Sequence, residues 1–191
     1  MNYRQELIDI IKNISKSFSE NELAYLALTS KIEIPLRDKI AYVLHKKYNK
    51  HSLVCREWKN KDGSMNSHRR IDLAIIDRKS KKATCLIEFK ANSSGVFEKM
   101  FEDEFEKDKN KMKEISDTAD KYYVFFCNMH GKGIPDDFSH SVKYLKKINT
   151  KERNMIMTWA ANHEEAYKIT IDAGNYYDTK VEIVAFIHKI S

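Results

Sequence analysis

Between residues 83 and 91 the chain reads ATCLIEFKA, apolar except for Thr84, Glu88 and Lys90. In an extended strand, alternate side chains point to opposite faces, so Glu88 and Lys90 project together while Ile87 and Phe89 face the other way. Charges inside an otherwise apolar strand carry a desolvation cost that needs a reason. A second strand-like run, RRIDLAIID at 69–77, precedes this one across a short basic turn at 78–82. A turn centred on Ser80 sets Asp72 opposite Glu88 and Arg70 opposite Lys90, and directly opposed residues share a face. Asp72 and Glu88 are then neighbouring carboxylates with Lys90 one step along. Two carboxylates this close repel unless a cation stands between them. A hard divalent ion such as Mg²⁺ is the natural match for oxygen donors. Such a site can orient and acidify a water and neutralise charge building on a phosphate. Lys90 could position the water, help deprotonate it, or offset developing negative charge. This is chemistry suited to phosphodiester hydrolysis. The same residues also suit a cross-strand charge cluster on the solvated face of a sheet.

Positioning these side chains requires a sheet and elements to brace it. Leu7, Ile11, Ile14 and Phe18 recur at helical spacing, which predicts an amphipathic helix over 3–18. Ser19 and Glu22 have the spacing of a capping box, which predicts a second helix over about 20–29. Pro35 suits the first turn of a third helix, which carries Leu36, Ile40, Val43, Leu44 and Lys47 on one face and ends near Asn49. The period then changes. Strands are expected at 52–58, 69–77 and 83–91, linked by a polar turn at 60–67 and the turn around Ser80, which favours an antiparallel meander. Phe97, Phe101, Phe105, Asp108, Met112 and Ile115 follow a helical period to about residue 118. KYYVFFCNM at 121–129 is apolar almost throughout, as a strand buried on both faces should be. A loop at 130–137, two shorter helices and two strands near 166–172 and 180–190 complete the chain. The order is helix, three-strand antiparallel meander, helix, strand, which makes a mixed-sheet α/β core. A helical N-terminus precedes that core and an α+β elaboration, about 138–191, follows it. The whole reads as a single domain over 1–191.

Composition narrows the function classes. The 191 residues hold 34 Lys and Arg against 28 Asp and Glu, a net charge of +6, and the pI is near 9.0. That excess favours a polyanionic partner. Around the first meander turn, Lys59, Lys61, His68, Arg69 and Arg70 could contact phosphates, and Ser93 and Ser94 lie in the loop directly after the Glu88–Lys90 strand. No apolar run approaches the roughly 20 residues of a membrane-spanning helix. The N-terminal MNYRQELIDIIKNISKSF is amphipathic and contains acids, unlike a signal peptide. Cys55, Cys85 and Cys127 each sit in a strand-like run, and no CxxC occurs, so reduced structural thiols and a cytoplasmic setting are expected. The seven histidines show no HxH or HExxH spacing, and no glycine-rich phosphate loop or GxSxG elbow is present. The helix from Phe97 is acidic early and basic late, which complements the helix dipole and reads as a solvated face.

Ile71-Asp72 followed by Glu88-Phe89-Lys90 resembles the PD-(D/E)xK nuclease superfamily, and the element order over about 31–130 is similar to that family's restriction-endonuclease-like core. The proline of the family motif is replaced by Ile71. The resemblance implies that Asp72 and Glu88 are metal ligands, that the Phe89 backbone carbonyl is a further ligand, and that Lys90 is the catalytic lysine. The family often adds an acid from the first core helix. Glu33 is favoured here, with Asp38 and Glu57 as alternatives. The implied cofactor is Mg²⁺, with Mn²⁺ able to substitute. The implied activity is a metal-dependent DNA endonuclease of restriction or phage/defence type acting on double-stranded DNA, for which a homodimer that cuts both strands is one arrangement the resemblance allows. Two other readings stay open: a non-catalytic nucleic-acid-binding subunit with a nuclease-like fold, and a nuclease for RNA or structured DNA.

Overall fold

The computed structural model describes residues 2–59, 70–92, 100–115, 118–130 and 166–190, with Asn154, Met155 and Thr158 between the last two stretches. Helix α1 spans Tyr3–Lys12. The Asn2 side chain caps it by accepting the Gln5 N–H at 3.2 Å. The expected single helix to residue 18 breaks at Asn13, and the chain tightens into a 3₁₀ turn at Ile14–Ser17. Helix α2 spans Glu22–Thr29, and the expected capping box is half made, with the Ser19 N–H donating to Glu22 Oε2 at 2.8 Å. Helix α3 spans Glu33–Tyr48 and has Pro35 in its first turn, where a missing N–H costs nothing. Its buried face is Leu36, Ile40, Ala41, Leu44 and Tyr48. Lys47, expected on that face, is exposed and pairs with Glu6 on α1.

The strands are β1 (Ser52–Trp58), β2 (Ile71–Asp77), β3 (Ala83–Asn92), β4 (Asp120–His130), β5 (Tyr167–Tyr176) and β6 (Thr179–Ile190), with helix α4 (Met100–Lys113) between β3 and β4. They form one six-stranded sheet in the order β1-β2-β3-β4-β6-β5. The first three strands are an antiparallel meander, β3 and β4 are parallel, and β6 and β5 add antiparallel beyond β4. The parallel pair requires a crossover, which the segment carrying α4 supplies. The fold is therefore mixed α/β.

Alternation along the strands sends two sets of side chains into two cores. Leu73, Ile75, Ile87, Phe89, Val124 and Phe126 pack with α1, α2 and α3. Ala74, Leu86, Tyr123, Phe125 and Cys127 pack with Phe105, Met112 and Ile115 on the α4 side. Interior residues of β4 are buried throughout, as a strand between two helical layers must be. All three cysteines are free thiols, with Cys85 and Cys127 buried. No helix among the described residues is long and apolar enough to cross a membrane.

One backbone position braces β5 against α2. Gly174 has φ +93° at a bulge in β5, and a Cβ there would stand 2.6 Å from Asn21 Oδ1. That same oxygen accepts the Asn175 N–H at 2.8 Å, so it is not free to move away. Gly174→Ala is expected to lower stability by about 1–3 kcal/mol in urea denaturation.

Candidate functional site

The turn between β2 and β3 is built by Asp77, whose Oδ1 accepts the Ser80 N–H at 2.6 Å and the Ser80 hydroxyl at 2.8 Å. Next to the turn Ile76 pairs with Ala83, and a bulge between Ile75 and Ile76 then shifts the ladder to Ile75–Cys85, Ala74–Leu86 and Leu73–Ile87, the register expected of a turn centred on Ser80. Among the described residues this ladder ends at Leu73–Ile87, while the β3–β4 ladder runs on to Asn92–Cys127. The strands β2 and β3 thus part where Asp72 and Glu88 stand. Asp72 spans the parting: its Oδ2 accepts the Phe89 N–H at 2.8 Å.

Glu88 points into the α4 layer and is only 2% exposed. Its Oε1 pairs with Lys111 Nζ at 2.6 Å. The same ammonium lies 3.1 Å from Asp108 Oδ1 and 3.1 Å from the Arg70 carbonyl oxygen. Lys90 lies 3.4 Å from Asp108 Oδ2 and 3.9 Å from Glu104 Oε2. An alternating ladder therefore joins β3 to α4: Glu88, Lys111, Asp108, Lys90, Glu104. Burial pushes the Glu88 carboxyl well above the usual range, and neighbouring Asp72 adds to the rise against the opposing pull of Lys111. Burial by itself would lower the Lys90 ammonium, but Asp108, Glu104, Glu33 and Asp72 outweigh it and hold Lys90 above lysine's ordinary value.

Helix α3 supplies the other wall. Glu33, in its first turn, is 6% exposed. Oε1 lies 3.3 Å from Lys31 Nζ, and Oε2 is buried without a hydrogen-bond partner among the described residues. Its carboxyl is raised by burial and, against Lys31, by Asp72. The two alternative acids are paired with arginines. Asp38 is paired with Arg37 at 3.2 Å and Arg56 at 2.7 Å, and Glu57 with Arg37 at 2.5 Å. Arg37 also stands 3.8 Å from Asp72 Oδ1.

The structure thus brings Asp72, Glu88, Lys90 and Glu33 to one end of the β2–β3 pair. Lys59 and Arg70 are exposed near the β1 and β2 termini. Arg70, expected inside the strand at 69–77, lies just outside β2, which begins two residues later than expected, at Ile71. His68, Arg69, Ser93, the turn at 60–67 and the loop after His130 lie outside the described residues, as do the two helices expected after Phe138 apart from Asn154, Met155 and Thr158. Lys111 and Asp108 are the members that sequence reasoning placed on a solvated helix or left aside. A signal for them exists: Glu104, Asp108 and Lys111 recur at i, i+4 and i+7 beside the apolar stripe of Phe105 and Met112. No group of three or more His, Cys, Asp or Glu side chains among the described residues is arranged to hold a metal ion. The acids near this end of the sheet offer hard carboxylate oxygens, and Glu33 Oε2, Glu88 Oε1 and Asp108 Oδ2 are buried with no hydrogen-bond partner among the described residues, so an incoming cation would satisfy them. No protein-family model, curated protein or solved structure matches this chain.

Proposed function

We propose that this chain is a metal-dependent nuclease of the PD-(D/E)xK type, hydrolysing phosphodiester bonds as a DNA endonuclease of restriction or phage/defence type. The observation that carries the reading is the parting of β2 and β3 at Asp72 and Glu88, with Lys90 two residues along β3 and Glu33 entering from α3. The order of α3, the β1–β3 meander, the α4 crossover and parallel β4 is the order expected of a restriction-endonuclease-like core.

Asp72, Glu88, the Phe89 carbonyl and Glu33 would hold Mg²⁺, or Mn²⁺ in its place. The ion would supply Lewis acidity and neutralise charge on the phosphate. The chain's own residues do the rest. Lys90, kept protonated by the carboxylates around it, suits orienting the attacking water and stabilising negative charge better than removing a proton. Lys59 and Arg70, exposed at the strand ends, would contact backbone phosphates, as the net charge of +6 favours. Two copies related by a twofold axis would cut both strands of a duplex.

One observation favours a second reading, a non-catalytic nucleic-acid-binding subunit. Glu88 is already ion-paired with Lys111, so the chain supplies its own cation to the metal-free site. Cleavage decides between them. Supercoiled and linear duplex DNA, single-stranded DNA and RNA are incubated with Mg²⁺, Mn²⁺ or EDTA, alongside Lys90→Ala. Metal-dependent cutting slowed about 10²-fold or more by Lys90→Ala, with nucleic-acid binding retained, is the expected result. Binding that persists in EDTA with no cutting of any substrate would move the assignment to the subunit.

A further inference from the structure

Asp72 and Glu88 demand a cation, and the chain provides one of its own. Three oxygens stand around the Lys111 ammonium: Glu88 Oε1 at 2.6 Å and Asp108 Oδ1 at 3.1 Å as ion-pair partners, and the Arg70 carbonyl at 3.1 Å as a hydrogen-bond acceptor. Glu88 Oε1 has no hydrogen bond of its own, so the ammonium's charge is what answers it. It sits beneath α4, with the Lys111 side chain 13% exposed and that of Glu88 3% exposed. A surface lysine tethered this way would lose side-chain freedom for little gain, because exposed ion pairs contribute about 0–1 kcal/mol. A buried carboxylate changes that balance, because leaving it unpaired is strongly unfavourable.

We propose that Lys111 is an internal stand-in for the metal: it neutralises Glu88 in the metal-free protein and must be displaced for a divalent cation to engage that carboxylate. This inference rests on the nuclease reading of the same site. Metal and Lys111 then compete for one carboxylate, and linkage requires that weakening either partner strengthens the other. Lys90 shares Asp108 with Lys111, so release of Lys111 also changes the charge facing Lys90. Lys111 is by this argument a positioning residue that sets the threshold for metal.

The test is Mn²⁺ binding by calorimetry on the full chain, with thermal unfolding in EDTA and in Mn²⁺, for the wild type, Lys111→Met and the double variant Lys111→Met/Glu88→Gln. Lys111→Met is expected to bind Mn²⁺ about 10-fold or more tightly than the wild type. Its Tm should fall in EDTA and recover in Mn²⁺ by more than the wild-type shift. The double variant removes the buried charge and should lose both effects, which ties them to Glu88. Should Lys111→Met fail to fold, Lys111→Gln carries the same test, since it keeps a donor toward Glu88 and removes the charge. Equal Mn²⁺ affinity in wild type and variant would overturn the competition and leave the nuclease reading standing. Absence of Mn²⁺ binding in every variant would overturn both.

Discussion

Asp72→Asn is expected to fold like the wild type and to cut nucleic acid about 10²–10³-fold more slowly. The two effects separate because Asp72 has two jobs. Structurally, its Oδ2 accepts the Phe89 N–H at 2.8 Å where β2 and β3 part. An asparagine carbonyl oxygen can accept the same bond, so the loss of stability should be no more than about 1 kcal/mol. Chemically, Asp72 supplies negative charge beside Glu88, Glu33 and Lys90, as its influence on the titration of all three records. Asparagine cannot supply that charge. Circular dichroism and Tm check the first half, and initial cleavage rates with Mg²⁺ check the second. A variant that retains wild-type cutting would remove Asp72 from the site.

Glu88→Gln should abolish cleavage to a similar or greater extent and yet gain stability relative to wild type as pH rises. The sign follows from the direction of the shift. The folded-state carboxyl is raised above its unfolded value by burial and by Asp72, so the folded protein holds that proton more tightly than the unfolded chain does. The associated stabilisation is fully present below the unfolded value, about 4.5, and is lost as pH rises through the raised folded value. Glutamine does not titrate. The difference in Tm, variant minus wild type in EDTA, should therefore grow upward from about pH 4.5. Lys111 keeps Asp108 and the Arg70 carbonyl as partners in this variant, so the site does not strand a bare ammonium. A Tm difference that stays flat with pH would mean that Lys111 fully offsets the burial of Glu88.

Local pattern made much of this protein legible before its fold was known. Apolar and alternating runs located the six strands among the described residues, and a turn near Ser80 gave the β2–β3 pairs from Ile75–Cys85 onward, although a bulge between Ile75 and Ile76, invisible in the sequence, is what brings the ladder into that register. That register, with i, i+2 geometry, led to the expectation of Asp72 opposite Glu88, while the ladder itself stops one pair short at Leu73–Ile87. The continuous apolar run of β4 announced burial on both faces. Element ends were less legible. The break at Asn13 and the outward turn of Lys47 depend on how α1 packs on α3, which no local signal records.

What the sequence determined by itself was a set of charged residues at one end of β2 and β3, Asp72, Glu88 and Lys90, through short-range turn geometry and strand alternation. What only the tertiary structure decided was which charges answer them. A helix rich in Glu, Asp and Lys looks solvated all round in one dimension. The face of α4 that meets the sheet follows from the crossover between parallel strands, and it carries Asp108 and Lys111 to residues about twenty positions earlier in the chain. In the same way α3 brings Glu33 and Arg37 to Asp72, some forty residues along the chain. Electrostatic pairing depends on distance through space and on burial. Both are properties of the packed layers, so the cation that completes the acidic pair became visible only once the helices were laid against the sheet.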